Sequence, residues 1–167
     1  MNHVDQLCPN CGLCCDSTLF ADVELRRGDD PGKLTGLGLE ILQKTKTKLA
    51  FAQPCACFDG KLCRIYADRP KRCGLFECGV LKRVDGGDMT VEAALKSIRR
   101  TKALAEKVRE LLRQSGQCDE RMALTHRYSK VMSAPMNLST EGEAETRGQL
   151  MLAVNELMQL LEREFLR

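Results

Sequence analysis

Ten cysteines are the residues of this chain best suited to chemistry, and nine of them precede residue 80. The first group reads Cys8-Pro9-Asn10-Cys11-Gly12-Leu13-Cys14-Cys15, and the second comprises Cys55, Cys57, Cys63, Cys73 and Cys78. Thiolates at CxxCxxC spacing can wrap around one metal centre, and Gly12 permits the tight backbone that this requires. The spacing therefore predicts metal binding by ligands drawn from both groups.

The ligand types narrow the choice of metal. Soft thiolates select zinc or iron–sulfur clusters over magnesium or calcium. The chain contains only two histidines, His3 and His126, and neither has zinc-finger spacing to the cysteines. A zinc site would therefore need four thiolates. The CxxCxxC run favours an iron–sulfur cluster of the 4Fe-4S type, and zinc stays open.

The N-terminus and the hydropathy pattern predict a cytoplasmic protein. No basic segment followed by an apolar run opens the chain, and no apolar run approaches the roughly 20 residues of a membrane span. Cytoplasmic thiols stay reduced, which favours metal or redox chemistry over a disulfide framework. Only 4% of the 167 residues are aromatic and Trp is absent, so binding of nucleic acid by base stacking is disfavoured.

The elements that must position these cysteines fall into two halves, and the predicted class is α+β. We expect a cysteine-rich metal-binding domain over residues 1–85, with short strands within Leu19–Leu25 and Lys48–Gln53 and a turn at Asp59-Gly60. Residues 86–167 are expected to form a helical extension packed on it. Apolar residues at period 3.6 predict helices from about residue 90 to Gly116, over 120–132, and from Thr140, where Glu143 would complete a capping box.

The first of these helices is basic, with Lys and Arg concentrated over residues 96–113. This face predicts either an anionic or protein partner or a solvated surface with ion pairs such as Lys102–Glu106 and Glu110–Arg113. The whole-chain net charge is only +3, which favours the solvated surface.

The cysteine pattern also resembles a known family. The run Cys8-x-x-Cys11-Gly12-x-Cys14-Cys15, with Pro54-Cys55 and Cys63-Arg64-Ile65-Tyr66-Ala67-Asp68-Arg69-Pro70-Lys71-Arg72-Cys73-x-x-Phe76-Glu77-Cys78, is similar to the CxxCxxCC family of zinc- or iron-chelating domains. The likeness covers roughly residues 8–80. It implies eight metal ligands, namely Cys8, Cys11, Cys14, Cys15, Cys55, Cys63, Cys73 and Cys78.

Three further residues need an interpretation. Arg69 could hydrogen-bond to cluster sulfur and offset the negative charge of the centre, whereas Tyr66 is expected to fill the small core. Cys57 lies outside the family pattern, although it could replace Cys55 as a ligand. Cys118 is interpreted as a small apolar residue near a helix start.

Three functions remain open at the level of sequence. The first is a metal-cluster protein with a redox, metal-handling or structural role. The second is an enzyme related to protein-lysine methylases, because the resembled family includes flagellin lysine-N-methylases. Against it, the chain lacks a GxGxxG motif after a strand. The third is a zinc-stabilised module that binds nucleic acid or protein.

Overall fold

Helices dominate the fold, which a computed structural model describes for residues 2–137 and 139–167. Helices account for 52% of the residues and strands for 9%. The strands lie in the N-terminal half, and the C-terminus is helical. The predicted α+β class is therefore confirmed. Met1, the first residue of the predicted domain, lies outside the described residues, and the division at residue 85 stays a prediction. None of the helices in the described ranges has the length and apolar character to cross a membrane.

Short elements make up the N-terminal half. In chain order they are α1 (His3–Cys11), β1 (Asp22–Glu24), α2 (Pro31–Gly36), β2 (Ile41–Thr45), β3 (Lys48–Ala52), a 3-10 helix (Tyr66–Asp68), α3 (Lys71–Leu75) and α4 (Gly79–Asp85). The Asn2 side chain accepts a hydrogen bond from the Val4 N–H and starts α1. Gly12 ends α1 in the left-handed conformation, with φ of 73°, and turns the chain toward Cys14.

The three strands form one antiparallel sheet in the order β1-β3-β2. The predicted strands contain β1 and β3, whereas β2 was not predicted. In β2 only Ile41 is half-buried and the other four residues are exposed, so the sequence has little apolar alternation there.

Three longer helices complete the chain: α5 (Val91–Gln114), α6 (Leu124–Ser133) and α7 (Glu143–Glu164). The prediction for α5 is confirmed, and Thr90 caps it. Helix α6 begins later than predicted, because the Asp119 carboxylate instead accepts from the Arg121 N–H in a preceding turn. The capping box predicted at Thr140 is wrong, since α7 begins at Glu143 after Gly142 with no side-chain cap.

Two hydrophobic cores hold these elements together. The larger core joins α5, α6 and α7 to Leu7 of α1, to Leu13 and to Val80, Leu81 and Val84 of α4. The smaller core lies on the sheet and contains Val23, Leu34, Leu39, Phe51, Cys57 and Ile65. The cysteine-rich residues therefore contribute to both cores, and α1 and α4 pack directly on α5.

Candidate metal centre

Four thiols gather where α1, the loop after it and the start of α4 meet. This first thiol set comprises Cys8, Cys11, Cys14 and Cys78. Burial first, and then the Cys14 and Cys78 thiolates, raise the pKa of Cys8 to about 11. The pKa of Cys11 is also raised, first by burial and then by these neighbours. The four sulfur atoms therefore lie within electrostatic reach of one another.

A second group of four thiols lies beside the first. This second thiol set comprises Cys15, Cys55, Cys63 and Cys73. Burial first, and then the Cys55, Cys14 and Cys63 thiolates, raise the pKa of Cys73 to about 12. The Cys55 N–H donates to the Cys15 carbonyl oxygen at 2.8 Å, which fixes the second half of this set against the first cysteine run.

The two sets meet at the Cys14–Cys15 peptide. Hydrogen bonding from the Cys15 thiol lowers the pKa of Cys14 and raises that of Cys15. Cys73, in the second set, also lies within electrostatic reach of Cys14 in the first. We therefore count one thiol of this hydrogen-bonded pair with each set.

Each thiol set packs against a different core. Cys11 and Cys78 of the first set contact the larger core. Cys55, Cys63 and Cys73 of the second set contact the smaller one. This division by packing agrees with the division by electrostatic contact.

Six of the gathered thiols favour the protonated state. Burial and neighbouring thiols raise the pKa values of Cys8, Cys11, Cys15, Cys55, Cys73 and Cys78, because negative charge at this density is only partly compensated. Within residues 2–137 and 139–167, no three Cys, His, Asp or Glu side chains already form a group that could hold a metal ion. The sets are therefore neighbourhoods of free thiols rather than closed coordination shells.

Arg69 is a cation within electrostatic reach of both sets. Its guanidinium lowers the pKa of Cys8 and Cys14 in the first set and of Cys73 in the second, opposing burial and the neighbouring thiolates. The guanidinium carbon also lies 4.0 Å above the Tyr66 ring. Tyr66 itself is 47% exposed, so the expectation that it fills the small core is wrong.

Comparison with known proteins adds the family. The model of the family CxxCxxCC, described as "Putative zinc- or iron-chelating domain", matches residues 7–85. Residues 7–85 are therefore similar to this family, and we call them the CxxCxxCC domain after the model that they match. The suspected resemblance is confirmed, and metal chelation is the function that it supports. Comparison with curated proteins and with solved structures gave no significant match.

Two cysteines are left out of the two thiol sets. Cys118 is exposed in the segment after α5. Cys57 is fully buried in the smaller core, and its thiol donates to the Leu37 carbonyl oxygen at 3.4 Å. Cys57 also lies within electrostatic reach of Cys55 and Cys63, so its role as a ligand in place of Cys55 stays a prediction.

The helical half fixes the loop that follows Cys15, which sequence reasoning missed. The Arg109 guanidinium lies 3.1 Å from the Asp16 carboxylate and donates to the Thr18 hydroxyl at 2.9 Å. The Leu124 N–H donates to the Ser17 hydroxyl at 3.2 Å in the interior. The only signal in the sequence was Arg109 itself, a basic residue on a charged helix face. The structure shows it half-buried there.

Four basic residues of the 96–113 segment have partners within the molecule. Arg109 contacts the CxxCxxCC domain, and Arg113 pairs with Glu106, Glu110 and Glu120. The expected Glu110–Arg113 pair is thus present, at 3.0 Å. Arg100 pairs with Glu156 at 3.9 Å, and Lys102 donates to the Asn10 carbonyl oxygen at 3.4 Å instead of pairing with Glu106 as expected. No observation on the described residues supports an anionic or protein partner here.

Proposed function

We propose that the CxxCxxCC domain holds two adjacent metal centres, one in each thiol set, and that both are 4Fe-4S clusters. The observation that carries this proposal is the division of eight thiols into two groups of four that meet at Cys14 and Cys15. Thiols that are buried together and uncompensated gain most from a bound cation, because metal ligation stabilises the thiolate.

The sequence of ligands within the first set supports iron–sulfur over zinc. Three ligands come from a CxxCxxC run and the fourth, Cys78, is remote, which is how ferredoxins hold a four-iron cluster. In two-cluster ferredoxins the cysteine that follows such a run binds the other cluster, and Cys15 falls in the second thiol set in the same way. A cytoplasmic location would keep these thiols reduced.

Electron transfer is the role we assign to the pair. Residues 14 and 15 have Cα atoms about 3.8 Å apart, so clusters ligated by them would lie side by side. Each bound cluster would supply one-electron redox chemistry, and Arg69 would stabilise the more negative reduced state of both. Replacing Arg69 by Met is therefore expected to lower both reduction potentials, whereas the exposed Arg99→Met would leave them unchanged.

Metal analysis of single variants tests the proposal. After anaerobic purification, the protein is expected to hold about eight iron and eight sulfide per chain, and any Cys→Ser variant within a set about four of each. Cys57→Ser and Cys118→Ser are the matched controls and should retain the full content. Two zinc ions without sulfide would overturn the iron–sulfur assignment and the redox role, since zinc has no redox chemistry.

Loss patterns test the division into sets. Variants of Cys8, Cys11 and Cys78 should lose one centre, while Cys55 and Cys73 variants lose the other. The two classes are separable because only one of the two reduced-cluster EPR signals disappears in each. Complete loss of metal in Cys118→Ser, or identical signals in both classes, would contradict the proposed ligand sets.

A further inference from the structure

A cavity of about 360 Å³ lies where the CxxCxxCC domain faces α5 and α6. Its volume falls in the range that accommodates small organic ligands. Six charged residues line it, namely Asp16, Lys102, Glu106, Arg109, Glu120 and Arg127. Equal numbers of acids and bases suggest a neutral wall, so the pairing of each charge decides what the cavity can bind.

All three acids of the lining have cationic partners. Asp16 pairs with Arg109 at 3.1 Å. Arg113, which lies outside the lining, pairs with both Glu106 and Glu120. Each acid of the lining therefore has an arginine within 4.0 Å, although Arg113 is shared with Glu110 outside the lining.

The other two cations of the lining, Arg127 and Lys102, have no such partner. Within the described residues, no carboxylate oxygen lies within 4.0 Å of either side-chain charge. Arg127 is only 2% exposed, yet its Nη2 donates just to the Gln117 carbonyl oxygen, and its buried Nε has no acceptor. The acid within electrostatic reach of Arg127 is Glu120, which is already paired with Arg113. Taking a charge out of water costs several kcal/mol unless it has a partner of its own.

We propose that this cavity binds a small oxyanion, a molecule with a carboxylate or phosphate group, through Arg127 and Lys102. An oxyanion would accept a hydrogen bond from the unpaired donor of Arg127 and neutralise the buried charge of its guanidinium. Guanidinium groups suit both carboxylates and phosphates. Cys11 and Cys55, one from each thiol set, also line the cavity. The ligand would thus lie beside both proposed centres, whichever metal they hold.

Titration of the metal-loaded protein with inorganic phosphate and, separately, with malonate tests this site. Calorimetry at low ionic strength is expected to give saturable binding of at least one anion, and the preferred anion identifies the headgroup. Lys102→Gln should weaken that binding about tenfold or more, the worth of one charged hydrogen bond. Lys107→Gln is the matched control, because it removes the same charge from the same helix outside the lining.

Arg127→Met gives the stronger test if it folds, and binding should then disappear. If that variant does not fold, the exposed Lys102 and Lys107 pair still decides the matter. Absence of saturable binding for both anions overturns the proposal and leaves Arg127 as a structural residue that supports the Gln117 carbonyl. Equal weakening by Lys102→Gln and Lys107→Gln also overturns it. Metal content measured on each variant separates this result from a failure of the proposed metal centres.

Discussion

Gly79 packs against residues 164–167, so the effect of replacing it by Ala on the free energy of unfolding has a predictable sign. Gly79 follows Cys78 directly, and its N–H donates to the Phe165 carbonyl oxygen at 2.8 Å. A Cβ atom at this position would lie 2.5 Å from the Arg167 carbonyl oxygen and 2.7 Å from that of Glu164. Both obstacles are backbone atoms, so a side-chain rotation cannot relieve the clash.

Three contributions determine how much Gly79→Ala changes the free energy of unfolding. Overpacking of this kind costs about 1–3 kcal/mol. Loosening the Gly79–Phe165 hydrogen bond costs about 1 kcal/mol more. Against these, Ala reduces the entropy of the unfolded chain and recovers about 0.4–1 kcal/mol. Gly79→Ala is therefore expected to lower the free energy of unfolding by about 1–3 kcal/mol.

Gly148→Ala is the matched control. Gly148 lies inside α7, and a Cβ added there would meet nothing within 4 Å. Ala is about 1 kcal/mol better than Gly in a helix interior, so this variant should be more stable than the parent. The same chemical change thus has opposite signs at the two positions.

Urea unfolding of the metal-loaded proteins, followed by far-UV circular dichroism, measures both variants. Because Gly79 adjoins Cys78, the Gly79→Ala protein should also lose metal from the first thiol set while the second set stays loaded. A Gly79→Ala protein that is as stable as Gly148→Ala and fully loaded would refute the reasoning. It would mean that residues 164–167 are not seated against the start of α4.

Three further predictions address the rest of the molecule. Gly12→Ala should reduce metal content and stability more than Gly116→Ala, since both have positive φ but only at Gly12 would a Cβ meet the Phe58 ring, at 2.6 Å; equal effects in urea titrations would contradict the contact. Hydrogen bonding from Arg83 lowers the pKa of Glu164, so its stabilisation is present above its ordinary pKa and lost as pH falls below that range; Glu164→Gln should flatten this acid dependence of the unfolding free energy, and an unchanged slope would contradict it. Anaerobic chelation should remove on the order of 10 kcal/mol of stabilisation per structural site and unfold the sheet region; α5 and α7 should keep their far-UV signal, and loss of both signals together would contradict separate stability.

The helices and the cysteine groups could be predicted from the sequence, because both depend on local spacing. Helix α5 has a long apolar repeat, and the CxxCxxC run is itself a local motif. The assignment of Cys14 and Cys15 to different sets depends on contacts with residues 55 to 78, which spacing does not encode. The burial of Arg127 was equally invisible, since a single Arg in a polar segment is typical of a surface.

The burial of Tyr66 was predicted wrongly and strand β2 was missed, for related reasons. Aromatic residues are usually core residues, but Tyr66 is used at the surface as a platform for Arg69. Strand β2 is an edge strand with an exposed face, so its residues needed no apolar alternation. In both cases the contact with a neighbouring residue or strand, rather than burial of an apolar side chain, determines the structure.

The packing of Gly79 against residues 164–167 also sets the order in which the two thiol sets can form during protein synthesis. All four residues of the second thiol set have emerged from the ribosome once Cys73 is exposed. The start of α4, which carries Cys78, acquires its backing only after residues 164–167 have been translated. On a growing chain, which folds from its N-terminus, the second thiol set can therefore bind metal early, whereas the first thiol set is completed only once residues 164–167 have emerged.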